Sequence, residues 1–388
     1  MAKRSAATGL AAAGILIAAC AGAAAHARQI FVSAEDGKPV RPGDTLATTT
    51  PDLLRVVALD SRGLRTLATV PVPASMSGPP ESVKLTPDGR YAVVTASQAL
   101  DPAATPPLVP GDAVSLVDLA TPARPRLIET VHAGAGASGV AIAPRGDLVL
   151  VANARANSVS AFTLAAGRLI SCGTVMLPTG SRPVSARILP DGRSALVVGG
   201  GGRVFRLAVA ADSVTLAPGT GEVGTGASSI ALSPDGRTAY IAASRSVAPG
   251  NGETFVAALD TTTLRVTASA LLPPSAEGLA LSRSGQFLEV TLLDGTNLPP
   301  DDPKHRETGT LAVLAVAPGS LRIVARTQTG RLCQGAAWSD DEHRIVLQCA
   351  QDRRIELYRF DGRAALRRVE PSVATTGRPG ALASLGYR

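Results

Sequence analysis

The fold of this chain is decided by one stretch, Ser229-Ile230-Ala231-Leu232-Ser233-Pro234-Asp235-Gly236-Arg237-Thr238-Ala239-Tyr240-Ile241. Apolar residues on both sides of a turn are typical of two short strands. Within the turn, Pro234 pre-sets its own φ, Asp235 can accept hydrogen bonds from the amides that follow it, and Gly236 supplies a position with positive φ. The stretch therefore predicts a β-hairpin.

The same hairpin occurs five more times along the chain. The other five turns are Pro87-Asp88-Gly89, Pro144-Arg145-Gly146, Pro190-Asp191-Gly192, Arg283-Ser284-Gly285 and Asp340-Asp341-Glu342. The residues that precede the six turns are numbers 86, 143, 189, 233, 282 and 339, so the units are spaced by 57, 46, 44, 49 and 57 residues. This period, with further β-rich runs in each interval, indicates four-stranded propeller blades joined by loops of variable length.

The two ends of the chain supply a seventh unit. The run from Gln29 to Ala34 resembles a second strand with no first strand before it, and Val56 to Asp60 and Arg65 to Val70 supply the third and fourth strands. The missing first strand is predicted at Arg378 to Ser384. The predicted fold is therefore all-β, a single seven-bladed β-propeller over residues 28–388. Pairing of its C-terminal strand with the N-terminal blade closes the ring and removes exposed sheet edges.

Residues 1–27 are predicted to be a signal peptide. Lys3 and Arg4 precede an apolar run, and Ala25-His26-Ala27 fits a small-x-small cleavage site. Ile17-Ala18-Ala19-Cys20 also resembles a bacterial lipobox, which would make Cys20 a lipidated N-terminus. Both alternatives predict an exported protein, periplasmic or secreted in the first case and an envelope lipoprotein in the second. Contact with a membrane is expected only through a lipid on Cys20.

Composition and motifs argue against several function classes. The formal net charge is +7, but the basic residues are scattered and aromatic residues make up only 3% of the chain, which argues against a nucleic-acid groove. The sequence has no His-x-His or Cys-x-x-Cys pair, which disfavours zinc, copper and haem sites. It also lacks a Gly-x-Ser-x-Gly nucleophile motif. No cofactor is predicted.

The repeat resembles a known family. The Ser-Pro-Asp-Gly-Arg turn, the following strand with Tyr240-Ile241 and the Val-x-Leu-Asp strand are similar to the YVTN-type β-propeller repeat. That family is related in fold to the lactonase-type seven-bladed propellers. The nearest matches to the Tyr-Val-Thr-Asn tetrapeptide are Tyr240-Ile241-Ala242-Ala243 and Leu150-Val151-Ala152-Asn153. The resemblance implies the fold over residues 28–388. It also implies a channel set of His, Glu and Arg, of which only the Glu and Arg types can be matched here.

One face of the propeller is predicted to carry the irregular segments. Four loops rich in Pro and Gly join second to third strands, namely Glu35 to Pro51, Ser97 to Asp112, Ser244 to Glu253 and Leu293 to Gly309. In a four-stranded blade these loops open on the same end as the segments that enter the first strands. We call this end the mouth face, and the opposite end, which carries the hairpin turns, the turn face. Loops of this kind are commonly either tolerated insertions or binding elements.

Polar residues enter the first strands at the mouth face. They form the predicted ligand-binding set, Glu81, Arg182, Glu277, Gln334 and Arg378. Two carboxylates and two guanidiniums around one opening could bind a polar or anionic ligand or a metal, and Glu81 and Glu277 are the candidate catalytic carboxylates. The alternative is that they line a channel filled with water.

The sequence holds two further candidate groups. Asp294, Asp301 and Asp302 lie in an oxygen-rich loop that could hold calcium, although its spacing fits no defined calcium loop and a solvated acidic loop is the alternative. Cys333 and Cys349 each lie eight residues from Asp341, so they could face each other across the hairpin as a disulfide or as two buried thiols.

Two function classes follow from the sequence. The first is a monomeric binding or interaction module of the bacterial envelope, with a protein or a small polar ligand on the mouth face. The second is a lactonase-like hydrolase in which Glu81 or Glu277 activates water. The first is preferred because no histidine is placed at the mouth.

Overall fold

A computed structural model describes residues 28–38, 50–78, 80–210, 213–244 and 253–385. Their strands form seven four-stranded antiparallel sheets, which confirms the predicted seven-bladed propeller. The signal-peptide and lipobox predictions fall on residues 1–27, outside the described residues, as do most of the loops predicted at 35–51 and 244–253. Within the described ranges, no helix is long and apolar enough to cross a membrane.

Each blade runs from a first strand at the channel to a fourth strand at the outer edge. Blades 1 to 4 consist of β28 (Arg378–Ser384), β1 (Gln29–Asp36), β2 (Leu53–Asp60) and β3 (Gly63–Pro71); β4 (Val83–Leu85), β5 (Tyr91–Leu100), β6 (Leu108–Asp118) and β7 (Arg126–His132); β8 (Ala137–Ile142), β9 (Leu148–Asn153), β10 (Ser158–Ala165) and β11 (Arg168–Met176); and β12 (Pro183–Ile188), β13 (Ser194–Gly199), β14 (Arg203–Val209) and β15 (Val214–Glu222). Blades 5 to 7 consist of β16 (Ile230–Leu232), β17 (Thr238–Ser244), β18 (Thr254–Asp260) and β19 (Val266–Leu272); β20 (Ala276–Leu281), β21 (Phe287–Leu292), β22 (Thr310–Ala317) and β23 (Ser320–Gln328); and β24 (Cys333–Trp338), β25 (Arg344–Cys349), β26 (Arg354–Phe360) and β27 (Leu366–Ala374).

The ring closes as the sequence predicts. Strand β1 lies between β2 and β28, and its pairs with β28 run from Phe31 opposite Ser384 to Asp36 opposite Arg378. The first strands contact their neighbours around the whole ring. Every first strand therefore has a neighbouring first strand on each side, and the unpaired edges of each sheet belong to its first strand, at the channel, and to its fourth strand, at the outside.

The core lies between neighbouring blades. In β17, Ile241 packs into the cluster shared with blade 4, whereas Tyr240 packs into the cluster shared with blade 6. Because both faces of a blade are covered by neighbouring blades, the residues that point to either face are apolar, and the strands form continuous apolar runs. Aliphatic side chains such as Leu196 and Leu288 fill these layers, which explains how so few aromatic residues suffice.

The hairpin turns also connect blades to one another. A Cβ placed on Gly236 would lie 2.5 Å from Pro190 of the preceding blade, and one on Gly285 would lie 2.9 Å from Pro234. Both glycines have positive φ, +70° and +78°. A side chain would therefore strain the turn and also clash with the neighbouring turn. The repeated motif fixes blade spacing as well as hairpin register.

All seven outer strands carry a β-bulge. The shift falls in the pairing of the third with the fourth strand in each blade, at Val56/Val57, Leu116/Val117, Ala161/Phe162, Phe205/Leu207, Ala258/Leu259, Val313/Leu314 and Ile355/Leu357. A bulge increases local twist and interrupts the ladder, which makes an edge a poor template for a further strand.

The predicted loop from Ser97 to Asp112 is wrong. Strands β5 and β6 continue through most of it, with Gln98 opposite Pro110 and Leu100 opposite Leu108, and a bulge between Ala96 and Gln98 precedes this extension. The prolines in this segment suggested a loop, but an extended hairpin leaves one edge unpaired, where a residue without an N–H is tolerated. The extended hairpin projects from blade 2 at the mouth face.

Candidate functional site

The carboxylate of Glu81 lies in a buried cluster of charged and polar side chains drawn from three blades. The Arg187 Nη2 atom of blade 4 lies 2.7 Å from Glu81 Oε2 and donates to Oε1 at 3.0 Å. Lys84 Nζ lies 2.9 Å from Oε2, and the Ser229 hydroxyl of blade 5 donates to Oε1 at 2.6 Å. Glu81, Lys84 and Arg187 are all less than a tenth exposed. We call these four residues the channel cluster.

Charge decides the protonation states in the channel cluster. Burial alone would raise the pKa of Glu81, but the positive charges of Arg187 and Lys84 outweigh it and lower that pKa to about 2. Burial and the nearby Arg187 lower the pKa of Lys84 to about 8, against the opposing effect of Glu81. Glu81 is therefore a permanently ionised carboxylate near neutral pH, which is unsuited to proton transfer.

The residue before Glu81 reaches the opposite side of the channel. A Cβ on Gly278 of blade 6 would lie 2.8 Å from Pro80 Cγ, and one on Gly335 of blade 7 would lie 3.1 Å from Pro80 Cβ. Pro80 thus contacts blades 6 and 7, while Glu81 binds residues of blades 4 and 5. This segment of blade 2 spans the channel and holds its walls together.

Glu277 is placed differently from Glu81. Its side chain is half-buried, and no described residue forms an ion pair or a side-chain hydrogen bond with its carboxylate. Burial raises the pKa of Glu277 to about 7. Its backbone carbonyl accepts a hydrogen bond from Ser228, the neighbour of the Ser229 that binds Glu81, at 3.0 Å. The two candidate catalytic carboxylates therefore lie in different environments, one neutralised by cations and one not.

The other three predicted ligand-binding residues are distributed around the mouth. Gln334 is buried and donates to the carbonyls of Met76 at 3.0 Å and Gly380 at 3.3 Å, where it links blade 7 to blade 1. Arg378 donates to the Lys38 carbonyl at 2.7 Å. Only Arg182 is exposed in a cleft. The five residues are therefore not gathered into one site.

A cleft of about 270 Å³ opens on the mouth face between the extended hairpin of blade 2 and blades 3 and 4. Ser97, Gln98 and Ser138 line it together with Arg155 and Arg182. Among the described residues that line it, none carries a carboxylate. We call it the mouth cleft. Its charge and size suit a small anion, because two guanidiniums can donate paired hydrogen bonds to an acid group.

Sequence reasoning missed Lys84, Arg187 and Arg155. Lys84 and Arg187 interrupt otherwise apolar first strands, Val83-Lys84-Leu85 and Ala186-Arg187-Ile188, and a charge at such a position was the signal that could have been used. Arg155 lies in an ordinary turn and carries no comparable signal.

The calcium candidates do not form a ligand set. Asp302 accepts a hydrogen bond from the amide of Lys304, and burial raises the pKa of Asp294. Among the described residues, the one group of three His, Cys, Asp or Glu ligand atoms lying within 4.8 Å of one another is Cys333, Cys349 and Glu356. The two cysteines of that group are joined in a disulfide and cross-link opposed residues of β24 and β25.

Known structures with the same propeller architecture superpose on this chain. No family model and no curated protein sequence matches the chain. A structure from Bacteroides fragilis, a candidate 6-phosphogluconolactonase, superposes with a TM-score of 0.71 at 16% identity, over 92% of this chain and 98% of that one. The periplasmic gluconolactonase of Pseudomonas aeruginosa superposes with a TM-score of 0.66 at 19% identity, over 92% and 99%.

The chain has the lactonase-like propeller fold. A dihydro-heme d1 dehydrogenase, NirN, also superposes, with a TM-score of 0.57 at 15% identity over 92% of this chain and 75% of that one. Since proteins of such different chemistry share the lactonase-like propeller fold, the likeness establishes architecture, and function must be argued from the sites.

Proposed function

We propose that this protein is a binding module of the bacterial envelope that takes a small polar anion in the mouth cleft. The observation that supports this most strongly is the pair of arginines, Arg155 and Arg182, in a cleft whose described lining residues include no carboxylate. Hydroxyls and an amide surround them, as expected for a site that orients a polar ligand. The channel cluster supports the same view, since its carboxylate is already neutralised by the protein's own cations.

Titration calorimetry with gluconate tests this proposal, with glucose as a neutral control. We expect gluconate to bind with an affinity that weakens as salt is raised, because exposed charges are screened. Arg182→Gln should weaken binding by about tenfold, since a hydrogen bond to a charged group is lost. Arg193→Gln removes an equally exposed arginine from the turn face and should have no effect. Equal affinities for the two variants would reject the mouth cleft as the site.

The second candidate function is lactone hydrolysis, which the properties of Glu277 favour. A carboxyl group with a pKa near 7 and no partner among the described residues has the properties of a general base at neutral pH. The fold likeness to a gluconolactonase makes a sugar lactone the natural first substrate to try.

Acid release from glucono-δ-lactone, followed in a pH-stat, tests this second candidate. If Glu277 is the base, the rate should rise with pH through about 7, because the carboxylate must be ionised to accept a proton. Glu277→Gln should lose both the rate and this pH dependence, with its fold checked by circular dichroism. A wild-type rate no faster than spontaneous hydrolysis would exclude the activity and leave the binding proposal standing.

A further inference from the structure

A second cavity lies on the turn face, on the opposite side of the propeller from the mouth cleft. It has a volume of about 530 Å³ and lies between the hairpin turns of blades 2 and 3, against the turn that joins β10 to β11. Its polar lining residues include Arg90, Tyr91, Arg145 and the acidic Asp88, and Pro87 and Leu164 provide apolar surface. We call it the turn cleft. Neither function proposed above uses it.

The turn cleft exists where the repeated motif changes its charge order. Blades 2, 4 and 5 have Asp before the turn glycine and Arg after it, as in Asp88-Gly89-Arg90. Blade 3 has the reverse order, Arg145-Gly146-Asp147. Arg145 therefore stands where an aspartate would be expected, and it lines the same cavity as Arg90. The inversion replaces an expected negative charge beside Arg90 with a positive one.

The nearby carboxylates of Asp88 and Asp147 already have hydrogen-bond or ion-pair partners. Asp88 accepts hydrogen bonds from the Thr86 hydroxyl at 2.5 Å and from the Arg90 amide at 3.0 Å, both within its own turn. Arg145 Nε lies 3.0 Å from Asp147, but their side chains are 82% and 47% exposed, so this pair is weak. Among the described residues that line the turn cleft, two arginines stand against one aspartate, Asp88, so the lining carries one net positive charge that a ligand's acid group could neutralise.

Tyr91 gives the turn cleft a fixed geometry. The guanidinium carbon of Arg90 lies 5.2 Å from the centre of the Tyr91 ring, a cation–π distance that restrains the arginine. A Cβ on Gly167 would lie 2.9 Å from the Tyr91 hydroxyl, so a residue with a side chain there would displace the phenol. The hydroxyl lies at the cavity wall, where it can donate a third hydrogen bond beside the two guanidiniums.

We propose that the turn cleft binds an organic anion whose carboxylate or phosphate is joined to a small ring or apolar group. The acid group meets Arg90, Arg145 and the Tyr91 hydroxyl, and the apolar part contacts Leu164 and Pro87. Three donors around one anionic group give directional recognition, which a single surface arginine cannot provide. This second site is independent of the mouth cleft.

Binding of phenyl phosphate and benzoate, followed by ligand-observed NMR and titration calorimetry, tests the turn cleft. Benzyl alcohol serves as the uncharged control. We expect both acids to bind and the alcohol not to bind, and the stronger of the two acids identifies the preferred acid group. Arg145→Asp places an aspartate before the turn glycine, as in blades 2, 4 and 5, and should weaken binding by at least about tenfold. Arg237→Asp makes the same charge change in the turn of blade 5 and should leave affinity unchanged.

Two further variants separate a lost site from a lost fold. Arg90→Gln and Tyr91→Phe each remove donors while keeping most of the side-chain volume, and both should weaken binding in protein with unchanged thermal unfolding. Arg182→Gln, in the mouth cleft, should not affect it. Equal binding by Arg145→Asp and Arg237→Asp, or no binding of either acid at 10 mM, roughly the weakest affinity such contacts would give, would overturn the proposal.

Discussion

The substitution Glu81→Gln gives the sharpest test of the channel cluster. Glutamine keeps the shape of the side chain but removes the negative charge that lies 2.7 Å from Arg187 and 2.9 Å from Lys84. Two buried cations then remain without their carboxylate. Removing one partner of a buried ion pair typically costs about 3–5 kcal/mol, and we expect the free energy of unfolding at pH 7 to fall by that amount.

The expected change in melting temperature follows from chain length. Unfolding entropy is about 2.1 cal/mol/K per residue, so residues 28–388 give about 0.76 kcal/mol/K and a decrease in Tm of about 4–7 °C. The pH dependence has a definite sign. Because folding lowers the pKa of Glu81 to about 2, its stabilising effect is complete above the unfolded value of 4.5 and is lost as the pH falls towards 2. The difference between wild type and variant should therefore shrink in acid.

Urea unfolding followed by circular dichroism at pH 7 and pH 3 measures both effects. Glu370→Gln is the matched control, because Glu370 forms its 2.8 Å pair with Arg368 while its own side chain is 63% exposed. That variant should cost less than about 1 kcal/mol. Adding Lys84→Met to Glu81→Gln should recover part of the loss by removing one stranded cation. If Glu81→Gln is within about 1 kcal/mol of wild type at pH 7, the channel cluster does not hold the blades together.

Three other substitutions test separate features by denaturant unfolding. The double variant Cys333→Ala/Cys349→Ala removes a cross-link over 16 residues and should lose about 3 kcal/mol, as should wild type treated with a reductant. Gly335→Ala should lower the free energy of unfolding by about 2–5 kcal/mol, since φ is +75° and the new Cβ would press on Pro80. Gly180→Ala is the control, because Gly180 has φ +81° with open space around it, so only the backbone strain of about 1–2 kcal/mol is expected. Equal losses in the two variants would contradict the contact between residue 335 and Pro80. Glu289 is fully buried without a hydrogen bond of normal geometry among the described residues, and burial raises its pKa well above the usual range. Its folded form therefore loses stability as pH rises above the unfolded value of 4.5, so Glu289→Met should become increasingly more stable than wild type from pH 5 to pH 8, and a constant difference would refute this.

The fold was predictable because its signals are local and repeated. Each hairpin carries its own turn chemistry, and six copies in register outweigh the irregularity of any one. The split blade could also be predicted, because a second strand without a first at Gln29 requires a partner elsewhere, which Arg378 to Ser384 provides. The extended hairpin was missed because a proline such as Pro110 argues against a strand unless it is known that its backbone position needs no N–H donor.

The channel cluster could not be predicted from the same signals. Glu81 meets Arg187 across 106 residues and Ser229 across 148, so no local pattern relates them. Sequence reasoning places residues on the mouth face by strand order but gives no radial position or side-chain direction. Hence Gln334, Arg378 and Arg182 were grouped together. Gln334 in fact joins blade 7 to blade 1 through backbone carbonyls, Arg378 binds a carbonyl within blade 1, and Arg182 is the one exposed in a cleft.

The pairing of β28 with β1 has a consequence for synthesis. Phe31 cannot pair with Ser384 until that residue, 353 positions later in the chain, has been synthesised. At about 5–20 residues per second the ribosome needs roughly 20–70 s for that distance. During this interval blades can form one after another, but the growing arc has a bare sheet face at each end. A chaperone that covers these faces until residue 384 emerges would act on a ring that is nearly complete but still open.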